Sequence, residues 1–385
     1  MIYFDNAATT KPLREVLDAM RYAYEEYGNP GSRHIAGASA RSAMDHARSA
    51  IASRLHAGDD QILFTAGASE SNTMVFRGLA KHLLKAGKTN LIVSQIEHDS
   101  VINAARSLVK DFGFSVTWLL PDETGRISEE QVSAAILPET GLCSVMYVNN
   151  ELGTVNPVSK IGALCHEHGV LFHTDVTQAL SAYPIDVGYL NCDFLSASAH
   201  KIHGPMGVGL LYAKDTSLLT PQIYGGEDQE LGLRGGTENV PGIAGFASAV
   251  SALDLWRVSW QQDIRAVRER FLQALEYSLK SKGIPDSMVY TVDPAHTVPN
   301  ILSLRFPGID SETMMAMLSQ VGVCVSSGSA CRAHSSDPSL VLLSLGLSAD
   351  EARSTLRVSF SHFNTQDEAA VAAFRFADVA SMLLQ

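Results

Sequence analysis

Short apolar runs alternate with amphipathic stretches from about residue 60 to residue 213. The runs at 61–64, 91–94, 115–119, 143–148, 170–174, 193–196 and 207–212 have the length and aliphatic character of buried strands. Between them, 69–85, 100–110 and 128–137 carry helical spacing, and Ser128 with Gln131 forms a capping box at the start of the third. Interleaved strands and helices predict an α/β fold, a mostly parallel seven-stranded sheet sandwiched by helices. After about residue 240 the texture changes. A long helical region places Ile264, Val267, Phe271, Leu275 and Leu279 on one face. Short strands follow at 300–306, 321–326 and 355–360, then a last helix whose capping box is Thr365 with Glu368. This part predicts a smaller α+β domain. Residues 13–255 are therefore expected to form a large domain, and 1–12 with 256–385 a small one. A first helix with Leu13, Val16, Leu17, Met20 and Tyr24 on one face is placed to bridge the two.

Composition narrows the class. The chain has 385 residues, 46% of them hydrophobic, which suits two soluble domains with ordinary cores. It contains no run of 18 uncharged apolar residues, so no membrane span is expected. The opening MIYFDNAATTKP lacks the basic start and apolar core of a secretion signal, which predicts a cytoplasmic protein. Lys plus Arg number 29 against 41 Asp plus Glu, a net charge of −12, and no basic run is present to track phosphates. Direct nucleic-acid binding is disfavoured on both grounds. Cysteines stand at 143, 165, 192, 324 and 331 without a C-x-x-C pair, which argues against a disulfide framework and against zinc.

Lys201 closes the segment Ser196-Ala-Ser-Ala-His-Lys201, which follows a predicted buried strand. Open α/β sheets place ligands at the carboxyl ends of their strands, and a lysine amine held out of bulk water there can attack an aldehyde. Asp175 ends another strand. Taken alone it reads as a helix cap. Beside such a lysine it reads as the anionic partner of a protonated pyridinium, the electron sink of pyridoxal chemistry. Gln178, three residues on, can donate to the ring hydroxyl from the same side. The stretch Phe64-Thr-Ala-Gly-Ala-Ser-Glu-Ser-Asn72 is a strand, a small-residue turn and a helix start, where free N–H groups bind phosphate. Cys331 lies in a Gly/Ser-rich polar stretch, 325–338, that predicts an exposed loop, with Arg332 and His334 close enough to favour a thiolate. The other four cysteines have apolar neighbours and read as buried, inert thiols.

Together these strings resemble the class-V aminotransferase group of fold-type-I pyridoxal-phosphate enzymes, and within it the cysteine desulfurases of nitrogen-fixation and iron–sulfur-assembly type. DNAATT at 5–10, GNPGSRH at 28–34, FTAGASESN at 64–72, the Glu97-His98 pair, NNELG at 149–153, SAHKIHGPMGVG at 198–209, RGGTENVPGI at 234–243 and SSGSAC at 326–331 run in that family's order. They cover essentially the whole chain. The resemblance implies pyridoxal 5'-phosphate as cofactor, held by the large domain, with the catalytic cysteine loop on the small one. It implies conversion of L-cysteine to L-alanine, with a persulfide on Cys331 that passes to a sulfur-acceptor protein for iron–sulfur cluster assembly or thio-modification.

The roles it implies follow residue by residue. Lys201 holds the cofactor and moves protons at the substrate's α-carbon. His98 stacks on the pyridine ring and can serve as acid or base. Asp175 and Gln178 take the ring nitrogen and the ring hydroxyl. Ala68, Ser69, Ser198 and His200 hold the phosphate, joined by Thr237 reaching in from the partner subunit of a homodimer. Asn150, beside the cofactor, and Arg357 bind the substrate carboxylate; the planar guanidinium fork suits that task.

This sequence departs from the family pattern in three places. Leu340 follows Pro338-Ser339 where the family often has a His, Ser361 stands where a Gly is common, and Gly67-Ala-Ser69 keeps only the hydroxyl of the usual phosphate turn. None removes a catalytic group, but they leave the sulfur acceptor open. A selenocysteine lyase or another class-V enzyme would share Lys201 and Asp175, although an ordinary aminotransferase has no use for Cys331. A non-catalytic scaffold would have no use for any of them. No metal site is expected, because His200 and His203 have the spacing of a pair but no third ligand nearby.

Overall fold

The fold is taken from a computed structural model that describes residues 1–328 and 337–385. The chain opens with β1 (Ile2–Tyr3), α1 (Arg14–Glu25) and α2 (Ile35–Leu55). Then come β2 (Ile62–Thr65), α3 (Ala68–Lys85), β3 (Asn90–Ser94), α4 (Asp99–Phe112), β4 (Ser115–Leu119), α5 (Glu129–Ala135), β5 (Thr140–Ser144), α6 (Val158–Glu167), β6 (Leu171–Asp175), α7 (Val187–Leu190), β7 (Phe194–Ser198) and β8 (Gly209–Ala213). The strands from β2 to β8 form the expected seven-stranded sheet, in the order β2-β8-β7-β6-β5-β3-β4. Only β8 runs against its neighbours, β2 and β7; the remaining pairs are parallel.

Successive residues of these strands feed two different cores. Ile62, Phe64, Ile92, Cys143, Phe172, Leu195, Leu210 and Tyr212 pack with α2, α6 and the first part of the long helix described below. Leu63, Leu91, Val93, Leu142, Phe194, Leu211 and Ala213 pack with α3 and α4 on the opposite face. A sheet covered on both sides has no solvent face, which is why the strands read as continuous apolar runs rather than as alternation.

One strand ends earlier than its apolar pattern suggests. β5 stops at Ser144, yet Val145 N and Tyr147 N still donate to His173 O and Asp175 O of β6, at 3.2 and 3.0 Å, before Val148 bridges Val155 in a hairpin. Asn149 closes that hairpin by accepting from the backbone N–H groups of Glu151 and Leu152. Val145, Met146 and Val148 are buried as well, so the apolar run continues past the last regular strand residue into the hairpin.

The second half contains α8 (Val240–Ser281), β9 (Val289–Tyr290), β10 (Ile301–Arg305), α9 (Ser311–Gln320), β11 (Val323–Cys324), α10 (Leu340–Ser344), α11 (Ala349–Arg353), β12 (Thr355–Ser359) and α12 (Gln366–Leu383). β12, β10 and β9 make a small antiparallel sheet, and β11 pairs only with β1, in parallel. The 42 residues of α8 run through two hydrophobic cores. Ile243, Phe246, Val250 and Leu253 belong to the sheet's core. The predicted face of Ile264, Val267, Phe271, Leu275 and Leu279 belongs to a separate core with Ile2, Phe4, Leu304, Val358 and Phe376.

α1 lies along α8, but its buried stripe is narrower than its sequence suggests. Leu13 and Val16 are buried and Met20 packs against the core, whereas Leu17 is 53% exposed and Tyr24 65%. The close approach explains this: a Cβ on Gly245 of α8 would come within 2.8 Å of Met20 Cγ, so only one row of α1 side chains fits the contact. Cys143, Cys165 and Cys192 are buried as expected. Cys324 is only half-buried, because β11 has a single partner strand. Among the described residues no helix is long and apolar enough to cross a membrane, and no group of three or more His, Cys, Asp or Glu is placed to hold a metal ion.

Candidate active site

β3, β5, β6 and β7 end along one edge of the sheet, and the segments that leave them wall a cavity of about 690 Å³. This is the carboxyl edge, where open α/β sheets bind ligands. Ala68, Ser69, His98, Asn150, Asp175, Gln178, Ser198, His200, Lys201 and Arg357 all line it. Thr237 does not; it is exposed in the segment before α8. Cys331, with Arg332 and His334, lies outside the described residues.

One end of the cavity is built to take an anion. Thr65 ends β2, Gly67 caps α3, and the first-turn N–H groups of Ala68 and Ser69 have no intrahelical acceptor. Ser198 and His200 stand with them. The turn needs a bare backbone beside it: a Cβ on Gly209 would lie 2.6 Å from Gly67 Cα and 2.6 Å from Ala197 O. Glu70 holds the turn from outside, accepting from Ala66 N at 2.7 Å and pairing with Arg234 at 2.8 Å. Burial, and then the charge of Lys201, push the His200 imidazole down to about 4, so it is neutral at pH 7 and bonds by its hydrogen-bonding groups rather than as a cation.

The middle of the cavity carries the carboxylate and the amine. Asp175 is 4% exposed; its Oδ1 accepts from Thr177 N and its Oδ2 from Asn72 Nδ2, both at 2.9 Å. Asn72 also donates to Ser100 Oγ at 2.9 Å, and Ser100 Oγ lies 2.8 Å from His98 Nδ1. His98 caps α4 by accepting at Nδ1 from Ser100 N, which leaves Nε2 as the other ring nitrogen for the cavity. Lys201 Nζ donates to the carbonyls of Ala7 and Ala8 at 2.5 and 2.6 Å, and Gln178 Nε2 donates to the same Ala7 carbonyl at 3.0 Å.

At the far end Arg357, 3% exposed, donates from Nη1 to Asn150 O at 2.9 Å and pairs through Nη2 with Asp5 at 3.0 Å. Two polar atoms here are buried without a protein partner among the described residues, Arg357 Nε and Asn150 Oδ1. The residues flanking the undescribed segment are tied to the same place. Ser326 and Arg357 exchange backbone hydrogen bonds at 3.2 and 2.7 Å, and Ser339 Oγ donates to Glu151 Oε2 at 2.5 Å.

Sequence reasoning missed several of these groups. Asp5, Ala7 and Ala8 belong to the quoted DNAATT string, but no role was assigned to them. Asn72 was quoted with its string as well, yet not as the link between Asp175 and the His98 cap. Glu97 was paired with His98 only by resemblance. It is fully enclosed, accepting at Oε1 from Ser94 Oγ at 2.8 Å and Met146 N at 2.6 Å, with Oε2 unpartnered.

Burial pushes the Glu97 carboxyl up from its ordinary 4.5 to about 8, against the pull of its two donors. The folded protein therefore holds a proton that the unfolded chain releases between those values. The stability this contributes is complete below about 4.5 and is lost as pH rises through about 8. Glu97→Gln, which cannot ionise, is expected to flatten the fall of the melting temperature across that window. Parallel melting curves for the two proteins would contradict it.

The fold and cavity define a class of protein: the chain belongs to the class-V aminotransferase family, whose pattern it matches over residues 2–371. More particular likenesses follow. It is 39% identical over 384 residues to the putative cysteine desulfurase IscS 1 of Bacillus subtilis (strain 168), covering 99% of each chain. It is 38% identical over 370 residues to the cysteine desulfurase of Homo sapiens, covering 95% of this chain and 79% of that one. Among solved structures, a NifS-like protein matches with a TM-score of 0.89 at 31% identity over 99% of each chain. The structure of SspA in complex with cysteine matches with a TM-score of 0.78 at 37% identity, over 95% of this chain and 100% of that one.

Enzymes of this family depend on pyridoxal phosphate, and the cavity suits that group. A helix start with two added polar side chains fits a phosphate. A buried carboxylate, hydrogen-bonded but with no ion-pair partner among the described residues, fits a protonated ring nitrogen. An amine at a strand end fits an aldehyde.

Proposed function

We propose that this chain is a pyridoxal-phosphate-dependent cysteine desulfurase, which takes L-cysteine to L-alanine and carries the sulfur away on Cys331. One observation carries the reading: amine, buried carboxylate, helix start and buried arginine converge on a single cavity in a chain of this family.

When bound, pyridoxal phosphate supplies an electron sink for negative charge at the substrate's α-carbon. This chain's own residues do the rest. Asp175 keeps the sink's nitrogen protonated, and Asn72 with Thr177 N holds that carboxylate in place. Gln178 takes the ring hydroxyl, His98 covers the ring, and Ala68, Ser69, Ser198 and His200 hold the phosphate. Lys201 would hold the cofactor's aldehyde carbon, and its amine would take the substrate's α-proton and return it. Arg357 and Asn150 fix the substrate carboxylate; the guanidinium is already oriented by Asp5 and the Asn150 carbonyl.

The Cys331 thiolate attacks the substrate sulfur. The sulfur–sulfur bond forms, the bond from sulfur to the β-carbon breaks, and its electron pair stays on carbon to be protonated. The products are L-alanine and a Cys331 persulfide, which a thiol of an acceptor protein can take up for iron–sulfur cluster assembly or thio-modification. The flanking ties from Ser326 to Arg357 and from Ser339 to Glu151 support this role, because both keep that segment's ends at the cavity.

The enzyme is proposed to work in the cytoplasm as a homodimer whose partner subunit supplies Thr237. Met206 on the cavity rim, 68% exposed, and exposed Tyr224 and Leu231 ahead of Thr237 offer apolar surface for such a contact. The separate core of Ile2, Phe4, Phe271, Leu304, Val358 and Phe376 supports 1–12 with 256–385 as the domain that carries Cys331 and 13–255 as the cofactor-binding one, although Ala7, Val298 and Ile301 pack with the sheet.

Given L-cysteine and a thiol reductant, the purified holoenzyme is expected to release alanine and sulfide in equal amounts. It should sediment as a dimer at the assay concentration. Absence of alanine would overturn the activity, and an active monomer would overturn the shared site.

A further inference from the structure

A second cavity, of about 430 Å³, opens at the base of the hairpin whose tip carries Asn150. Tyr147 and Asn156, joined there by a backbone hydrogen bond of 2.9 Å, form one wall. Arg126, Tyr183, Arg265 and His296 form the others. Among the described residues no Asp or Glu lines this cavity, although the chain carries a net charge of −12. Neither the Arg126 nor the Arg265 guanidinium has a hydrogen bond or ion pair among the described residues, and Arg126 Nε is buried without a partner. Buried donors are normally satisfied, so an unpaired one facing a polar cavity points to an absent acceptor.

The remaining groups favour the same kind of ligand. Tyr147 and Tyr183 stack at 5.3 Å, and burial raises both phenols, which keeps them neutral hydroxyl donors. Buried Arg268 fixes the segment that presents His296, donating to Val298 O at 3.0 Å, Pro294 O at 3.1 Å and Thr297 Oγ1 at 3.0 Å. The nearby carboxylates are turned to other tasks. Asp293 lies 3.9 Å from His296 Nε2, and Glu129 pairs with Lys160 at 3.3 Å.

We propose that this cavity binds a compact oxyanion, a phosphate ester or a polycarboxylate, between Arg126 and Arg265. Such a ligand ties Arg265 of α8 and the 294–297 segment to the hairpin that presents Asn150. The site is distinct from the cofactor's phosphate end and does not depend on the reaction proposed above.

The test is calorimetric titration of the holoenzyme, whose cofactor occupies the first cavity, with inorganic pyrophosphate and separately with citrate, at ionic strength held constant with sodium chloride. At least one anion is expected to bind saturably at one per chain. Tighter pyrophosphate assigns a phosphate ester, and tighter citrate a polycarboxylate. Arg265 is exposed, so Arg265→Gln should keep the anion-free melting temperature while weakening binding at least about tenfold. Arg126→Gln should do the same to binding. Heats that match the sodium chloride control, or affinity unchanged in both variants, would overturn the proposal.

Discussion

Lys201→Ala is expected to purify without the visible absorbance of bound cofactor and to turn over at least about 10³-fold more slowly than the wild type. Among the described residues Lys201 is the only lysine lining the active cavity, so no other amine there is placed to hold the aldehyde or take the α-proton. The fold should survive. Among the bonds lost are those to the carbonyls of Ala7 and Ala8, and Ala7 keeps its bond from Gln178. Absorption spectra, far-ultraviolet circular dichroism and an alanine assay on the same preparation check all three statements. A variant that kept both the absorbance and the rate would mean that another lysine does this work.

Cys331→Ala divides the reaction at a different point. Asp175, Gln178, Lys201, Asn150 and Arg357, the cavity residues proposed to hold cofactor and substrate, do not change. The variant should therefore bind cofactor at full occupancy and show a spectral change on adding L-cysteine. It should make almost no alanine, because nothing accepts the sulfur; the loss is expected to exceed about 10²-fold. Alanine release near the wild-type rate would remove Cys331 from the mechanism. A serine variant behaving like the alanine one would show that thiolate chemistry, not side-chain volume, is what was lost.

How much of this was legible in the sequence depends on what each group uses to act. The sheet was legible because strands buried on both faces must be apolar throughout, and runs such as Leu91–Ser94 announce themselves. Lys201 and Asp175 were legible because each follows such a run and each acts through a charged side chain. Ala7 and Ala8 act through backbone carbonyls, which every residue has, so nothing in their side chains marked them. Asn72 acts through a contact to Asp175 across 103 residues, and no local spacing encodes that. Glu97 stood out only beside His98 in the resemblance; its enclosure by Ser94 and Met146 is a tertiary fact. The early end of β5 and the exposure of Leu17 and Tyr24 have the same origin, since packing decides which apolar residues keep a partner.

The ties at Ser326 and Ser339 bear on how such an enzyme can diversify. Both are made by residues outside 329–336, to Arg357 and Glu151, so the mooring is independent of what the intervening eight residues are. With Cys331 kept, natural selection can then rewrite the rest of that span, in length or in charge, without disturbing the groups proposed to hold cofactor and substrate. On the proposed function, a lineage can change the protein to which it delivers sulfur while inheriting the chemistry unaltered. Grafting the 329–336 span between relatives should accordingly move delivery preference and leave alanine formation with a small-molecule thiol in place.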